Sequence, residues 1–200
     1  MKIGYYVEKK NFISEGAIKT AKKGLKKVGE KLEKWLPGED LDLLLVFGGD
    51  GTLLQALQKM GESTIPVLGI NCGELGFLME TTHGNFEKFL PAIVRGEYKI
   101  EKRDRLEVRG KVPLFALNEV VIVPSRSASL MRYSLKVSGE KMWRDTADGL
   151  VISTPTGSTA YALSAGGPIL APDTPAFEVV PSNSVNQARR PLVLPKSAVV

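Results

Sequence analysis

Asp42-Leu43-Leu44-Leu45-Val46-Phe47-Gly48-Gly49-Asp50-Gly51-Thr52 sets a near-continuous apolar run directly against a glycine turn. Such a run suits a strand covered on both faces, as in a parallel sheet. The turn then leads into a helix predicted from Thr52 to Met60. Working outward, Ile3 to Val7 and Ile65 to Ile70 read as further strands, and Asn85 to Val94 as a helix. Between the first two strands, Leu25, Val28, Leu32 and Trp35 recur at steps of three and four among many lysines. That pattern predicts one amphipathic helix from about Ser14 to Leu36, ended by Pro37-Gly38. Strands alternating with helices define an α/β layer with a parallel sheet.

The character changes near Gly96. Leu106-Glu107-Val108, Ala116 to Val123, Tyr133 to Val137 and Val151-Ile152 are short, β-rich and separated by turn residues. The expected architecture is therefore a Rossmann-like α/β domain over residues 1–96 and an all-β, sandwich-like domain over residues 97–200. Arg190 to Pro195 and Ala198-Val199-Val200 read as two more strands. An apolar run at the end of the chain predicts that later strands are missing or come from another chain.

Apolar content of 43% and charged content of 24% fit an ordinary globular protein. No apolar run approaches the roughly 20 residues that cross a bilayer, and no signal peptide is evident. Cys72 is the only cysteine and His83 the only histidine, which excludes internal disulfides and histidine-based metal sites. Those features predict a cytoplasmic protein without a membrane partner. The net charge of +5 comes largely from the lysine-rich segment, read as a solvated helix face. With Trp35 in the apolar stripe, no stacking surface interleaves with the lysines, so nucleic acid is not the expected partner.

Two segments carry chemistry. Glycines at 48, 49 and 51 allow a ligand to approach the backbone at the positive end of a helix. Asp50 would repel a phosphate. It either caps the helix, accepts a proton from an attacking hydroxyl, or faces a metal ion. The block from Asp148 to Pro168, including Thr154, Thr156, Ser158, Thr159, Tyr161 and Ser164, presents hydroxyls and backbone amides to a polar ligand. Tyr161 taken alone reads as a core tyrosine, and His83 as a surface residue approaching a helix. Asn118-Glu119 stand inside the apolar run from Leu114 to Val123, where a polar pair is costly without partners. They read either as solvated at a strand bend or as contacts to a ribose or an amide.

In the same order along the chain, four segments resemble the NAD kinase family. They are Gly48-Gly49-Asp50-Gly51-Thr52, Gly69-Ile70-Asn71 through Gly73 to Leu75-Gly76-Phe77-Leu78, Asn118-Glu119, and Asp148 to Pro168. Arg190-Pro191-Leu192-Val193 resembles a further family segment. The first cluster is shared with phosphofructokinases and with diacylglycerol and sphingosine kinases, whereas the 148–168 block is specific. The resemblance implies an α/β domain followed by an all-β domain, with NAD bound between them. It implies transfer of a phosphoryl group from ATP or polyphosphate, with Mg²⁺, to the adenosine 2′-hydroxyl of NAD. Asp50 would accept the proton, and Gly48, Gly49, Gly51 and Thr52 would receive the donor phosphates. Gln55, Asn71, Phe77, Asn118, Glu119, Thr146, Asp148, Thr159, Ala160, Tyr161, Leu163 and Ser164 would complete the substrate contacts. A homodimer or homotetramer is implied.

Two departures stand out. Family members often carry a basic residue where Gln55 stands and a histidine or arginine near Ser129. They also usually continue for several tens of residues, including a ligand-contacting glutamine, so a C-terminally truncated member is expected. A lipid or sphingoid-base kinase and a non-catalytic dinucleotide-binding fragment are the rival readings.

Overall fold

Five strands build the sheet around the apolar run: β1 (Ile3–Tyr6), β2 (Leu32–Lys34), β3 (Leu43–Gly48), β4 (Val67–Asn71) and β5 (Thr81–Thr82). Their order is β2-β1-β3-β4-β5, and every neighbouring pair is parallel. The helices are α1 (Phe12–Lys27), α2 (Asp50–Met60) and α3 (Leu90–Val94). β3 needs apolar residues on both faces because each face is covered. Leu43, Leu45 and Phe47 pack with Ala17, Ile18, Ala21 and Leu25 of α1 and with Phe86 and Leu90. Leu44 and Val46 face Leu53, Ala56 and Met60 of α2, together with Trp35. The structure, a computed structural model, describes residues 1–73 and 76–200 in two compact units, Met1–Glu101 and Lys102–Val200. Glu74 and Leu75 of the Asn71 to Leu78 segment lie outside the described residues.

The lysine-rich segment is not one helix to Leu36. α1 starts at an Asn11–Ser14 capping box and stops at Lys27. Gly29 takes φ 80°, with its N–H on the Lys26 carbonyl (3.2 Å) and the Glu30 N–H on the Leu25 carbonyl (3.0 Å). Those two bonds form a Schellman closure, which overrides the apolar periodicity beyond it. The chain then pairs with β1 as β2. The Trp35 N–H bonds the Tyr5 carbonyl (2.9 Å), and the Trp35 ring is buried on the α2 side. Pro37-Gly38 thus follow a strand. The helix expected from Asn85 to Val94 divides between Phe89 and Leu90 into a 3₁₀ turn, Phe86–Phe89, and the short α3, with Pro91 in its first turn.

The second unit contains β6 (Leu106–Val108), β7 (Leu114–Ala116), β8 (Glu119–Ile122), β9 (Met131–Val137), β10 (Glu140–Ala147), β11 (Gly149–Ser153), α4 (Tyr161–Ser164), β12 (Ala176–Ser182) and β13 (Leu192–Pro195). An antiparallel sheet runs β13-β12-β11-β8. The β9–β10 hairpin packs on one face of it through Leu135, Tyr133 and Trp143 against Leu150, Phe177, Val179 and Leu194. Those two layers give the sandwich-like arrangement. The opposite face is covered by α4, with Ala162 against Val151 and Val180, so the unit is β-rich rather than wholly β. Ala198 to Val200 do not form a strand, although the Val199 carbonyl accepts the Ser138 N–H (2.7 Å). Among the described residues no helix is long and apolar enough to cross a membrane.

Candidate functional site

In the first unit the strand order reverses between β1 and β3, because β2 adds on one side of β1 and β3 on the other. Parallel α/β sheets bind ligands outside the carboxyl ends of the strands at such a reversal. Gly48 ends β3 there, and Gly49 is the N-cap of α2. The glycines differ in what they answer to. A Cβ on Gly48 would run into the side chain of Thr52, so packing explains that glycine. Gly49 is extended (φ −113°, ψ −172°) and Gly51 lies in the helix, with nothing within 4 Å of a Cβ at either. Neither backbone angle nor packing requires them. The first amides of a helix have no intrahelical acceptor, so this bare turn offers donors to an anion.

Asp50 opens α2 and is half-buried. Its Oδ2 accepts the Phe77 N–H (2.8 Å) and its Oδ1 the Leu78 N–H (3.1 Å). A Cβ on Gly76 would collide with the carboxylate, so that glycine is required for the loop to close on Asp50. Asp50 is therefore oriented by backbone amides of the loop after β4 rather than capping its own helix. The Phe77 side chain is fully exposed. Asn71, at the end of β4, is buried, and its Oδ1 accepts the Gly73 N–H (2.9 Å). His83 is exposed, with Nδ1 3.3 Å from the Asn71 carbonyl. Beyond β1, Glu8 binds the Tyr6 hydroxyl and Lys59 (3.4 Å). The Gln55 amide, oriented with nitrogen toward Glu8, donates to both of its oxygens (3.0 and 2.6 Å). Hydrogen bonding to Tyr6 is the main cause that lowers the Glu8 carboxyl, and it raises the Lys59 ammonium.

The hydroxyl-rich block of the second unit divides in two. Its first part is buried and structural. Thr154 Oγ1 donates to the Leu117 carbonyl (2.5 Å) and accepts the Gly157 N–H (3.1 Å). Ser158 Oγ donates to the Pro155 carbonyl (2.8 Å) and accepts the Leu170 N–H (3.0 Å). A Cβ on Gly157 would strike the Asn118 backbone. These contacts pin the turn to the bend between β7 and β8. The second part faces outward: Thr159, Tyr161, Leu163 and Ser164 are exposed, Ala160 is half-buried, and Ala162 alone points into the core. Tyr161, 49% exposed, is not a core tyrosine.

Asn118 and Glu119 do fall at a strand bend, yet Asn118 Oδ1 and Glu119 Oε2 are buried without a partner. Burial raises the Glu119 carboxyl, offset in part by the Tyr161 backbone N–H. Asp148 is exposed and accepts from Asn183 Nδ2 (2.8 Å). It lines a cavity of about 500 Å³ with Val123, Arg126, Ser127, Ser129 and Leu130. Thr146 lines another, about 550 Å³, with Arg132, Arg144 and Asp145.

Asp145 and Arg189 were not foreseen from the sequence. Their ion pair (3.1 Å) is mostly buried, and Arg189 stacks 4.4 Å from the Trp143 ring centroid. Burial alone would raise the Asp145 carboxyl, but the Ser184 hydroxyl, the Thr146 amide and Arg189 together hold it below its ordinary value. No local signal pointed there, because the consecutive polar residues Arg144-Asp145-Thr146 break the alternation expected of a strand and hide β10.

A parallel sheet with a bare glycine turn at its reversal, joined in one chain to an antiparallel unit with exposed hydroxyls and buried acceptors, defines a two-unit protein of the α/β-plus-β class. Family models describing the ATP-NAD kinase N-terminal and C-terminal domains match residues 9–98 and 117–200. The NAD kinase of Marinomonas sp. is 38% identical over 205 residues, covering 98% of this chain and 69% of the relative. That of Methanothermobacter thermautotrophicus is 43% identical over 162 residues, covering 80% of this chain and 57% of the relative. The chain belongs to the NAD kinase family. Among solved structures, yeast NADH kinase complexed with NADH superposes with a TM-score of 0.86 at 26% identity, covering 98% of this chain and 66% of that one. An NAD kinase from Archaeoglobus fulgidus in complex with ATP gives 0.83 at 28% identity, covering 99% and 78%.

Proposed function

We propose that this chain catalyses transfer of the γ-phosphoryl group of ATP, or of a phosphate from polyphosphate, to the adenosine 2′-hydroxyl of NAD, giving NADP. The observation that carries the reading is the pair Gly49 and Gly51, glycines that the fold does not need and that a close-lying phosphate does. The first unit receives the donor through Gly48, Gly49, Gly51 and Thr52. The second receives NAD through Asn118, Glu119, Asp148, Thr159, Ala160, Tyr161, Leu163 and Ser164, with Thr146 beside them. The orphaned Asn118 and Glu119 oxygens suit ribose hydroxyls and an amino group. Gln55 is engaged by Glu8, so it orders the loop after β1 instead of meeting phosphate directly. Asn71 and Phe77 shape the loop that orients Asp50.

Among the described residues no three His, Cys, Asp or Glu side chains converge as metal ligands. Mg²⁺ fits such a turn as a companion of the donor phosphates, neutralising their charge, since it is commonly held by substrate phosphates and one or two carboxylates. Asp50, fixed by two amides, orients the acceptor hydroxyl and takes its proton. The enzyme works in the cytoplasm as a homodimer or homotetramer.

The test is formation of NADP from NAD with ATP and Mg²⁺. Asp50→Asn is expected to lower kcat by about 10²- to 10⁴-fold while NAD affinity stays within a few-fold. Near-wild-type turnover would remove Asp50 from its role. Product from a lipid alone, or NAD binding without product, would replace the proposed activity.

A further inference from the structure

Among the described residues Glu178, on β12, is a carboxylic acid with no exposed surface, and neither of its oxygens has a hydrogen-bond partner. Cross-strand pairing sets it opposite Ser153, and Ser153 opposite Glu119, so the three share one face of the sheet. That face is the one α4 covers. A Cβ on Gly167 would lie 2.8 Å from Glu178 Oε2 and 2.9 Å from the Ala162 carbonyl oxygen, which places the carboxyl directly beneath the end of α4. There the turn closes through Gly166 N–H to the Leu163 carbonyl (3.0 Å) and Gly167 N–H to the Ala162 carbonyl (2.9 Å).

Among the described residues, the elements packed around Glu178 bring no cation to neutralise a negative charge. β11, β13 and α4 carry no lysine, arginine or histidine. The titratable groups on the elements around it are Glu119, an acid in the same row, and Tyr161, whose side chain is half exposed. Ionised, Glu178 would be a buried anion with no partner beneath the turn; neutral, it avoids that cost. Burial accordingly pushes its carboxyl up to about 7.

We propose that Glu178 is a positioning residue that holds the α4–Gly167 turn only while its carboxyl is neutral, so that rising pH loosens the turn bearing Tyr161, Leu163 and Ser164 and weakens NAD binding. The ligand half of this statement rests on the acceptor site proposed above. The sign follows from linkage. A carboxyl raised on folding stabilises the fold most below its unfolded value, and that contribution is lost as pH climbs through the folded value.

The test uses ligand-free chain first. Glu178 should titrate near neutrality by side-chain ¹³C NMR. Protection of the Gly166 and Gly167 amides, corrected for intrinsic exchange, should fall by up to about tenfold per pH unit from the ordinary carboxyl range up to that midpoint and level off above it. In Glu178→Gln the protection should be independent of pH. The NAD dissociation constant should rise with pH in the unmodified chain and stay flat in Glu178→Gln. A titration midpoint in the ordinary carboxyl range overturns the proposal, and so does pH-dependent protection that survives in Glu178→Gln. If that variant does not fold, the NMR and exchange of the unmodified chain decide alone. NAD that binds at no pH overturns the acceptor site and, with it, the ligand half, while the ligand-free data still decide the turn.

Discussion

Replacing Gly51 by alanine should improve the fold and damage the function at once. Gly51 sits in the first turn of α2, and a methyl group there meets no protein atom within 4 Å. Alanine in a helix is favoured over glycine by about 0.5–1 kcal/mol, chiefly because the unfolded chain loses freedom. Taking the lower figure for an end position, and about 4–8 °C per kcal/mol for a unit of roughly 100 residues, the melting temperature should rise by about 2–4 °C. The same methyl occupies the space through which a phosphate would reach the opening amides of α2. Losing that approach should weaken MgATP binding at least about tenfold, equivalent to about 1.4 kcal/mol. Differential scanning calorimetry without ligand and titration calorimetry with MgATP read the two effects separately. Unchanged ATP affinity in a stabilised variant would mean that the turn is no phosphate cradle. A lowered melting temperature would mean that the space beside Gly51 is not open.

Two further substitutions test the second unit. Gly157→Ala drives a methyl group into the Asn118 backbone and should break the Thr154 staple, lowering stability by about 2–3 kcal/mol from the loss of two or three hydrogen bonds; an unshifted urea midpoint would refute it. Arg189→Met removes the cation from the buried Asp145 and should cost about 2–3 kcal/mol at neutral pH, somewhat less than a fully buried pair. Because the folded Asp145 carboxyl is depressed, its contribution is present above its unfolded value and lost as pH falls through the folded one, so the acid-unfolding midpoint of Arg189→Met should move upward.

The first unit was legible because its signals are local. A strand buried on both faces must be apolar throughout, and Leu43 to Phe47 is. The exception, α1, failed for a physical reason: apolar spacing continues across Val28 and Gly29, but Gly29 in a left-handed conformation ends the helix, Leu32 lies in β2, and Trp35 bonds β1 just past it. In the second unit β10 and β12 were missed because their sequences contradict strand patterning. β10 carries Arg144, Asp145 and Thr146 with a shifted register between Lys141 and Trp143, and β12 contains Glu178 and Pro181. Pairing makes strands of them: β10 folds back on β9 as a hairpin, and β12 is held between β11 and β13.

The hydroxyl-rich block shows why composition names a site sooner than it names the working residues. Thr154, Ser158, Thr159 and Ser164 are chemically alike, and nothing local separates them. The structure separates them by depth. Thr154 and Ser158 satisfy backbone groups of the β7–β8 bend and of the Leu170 segment, and are thereby removed from any ligand. Thr159 ends the turn just beyond that staple, and Tyr161 and Ser164 lie on a short helix whose single inward residue, Ala162, rests on Val151 and Val180. So small a foothold explains why the support beneath it matters. A four-residue helix contributes little of its own to stability, since helix nucleation is costly. Its position must therefore come from the floor it rests on, and that floor includes the buried acid Glu178. An isosteric neutral side chain at position 178 should keep the foothold, whereas a charge there should undermine it.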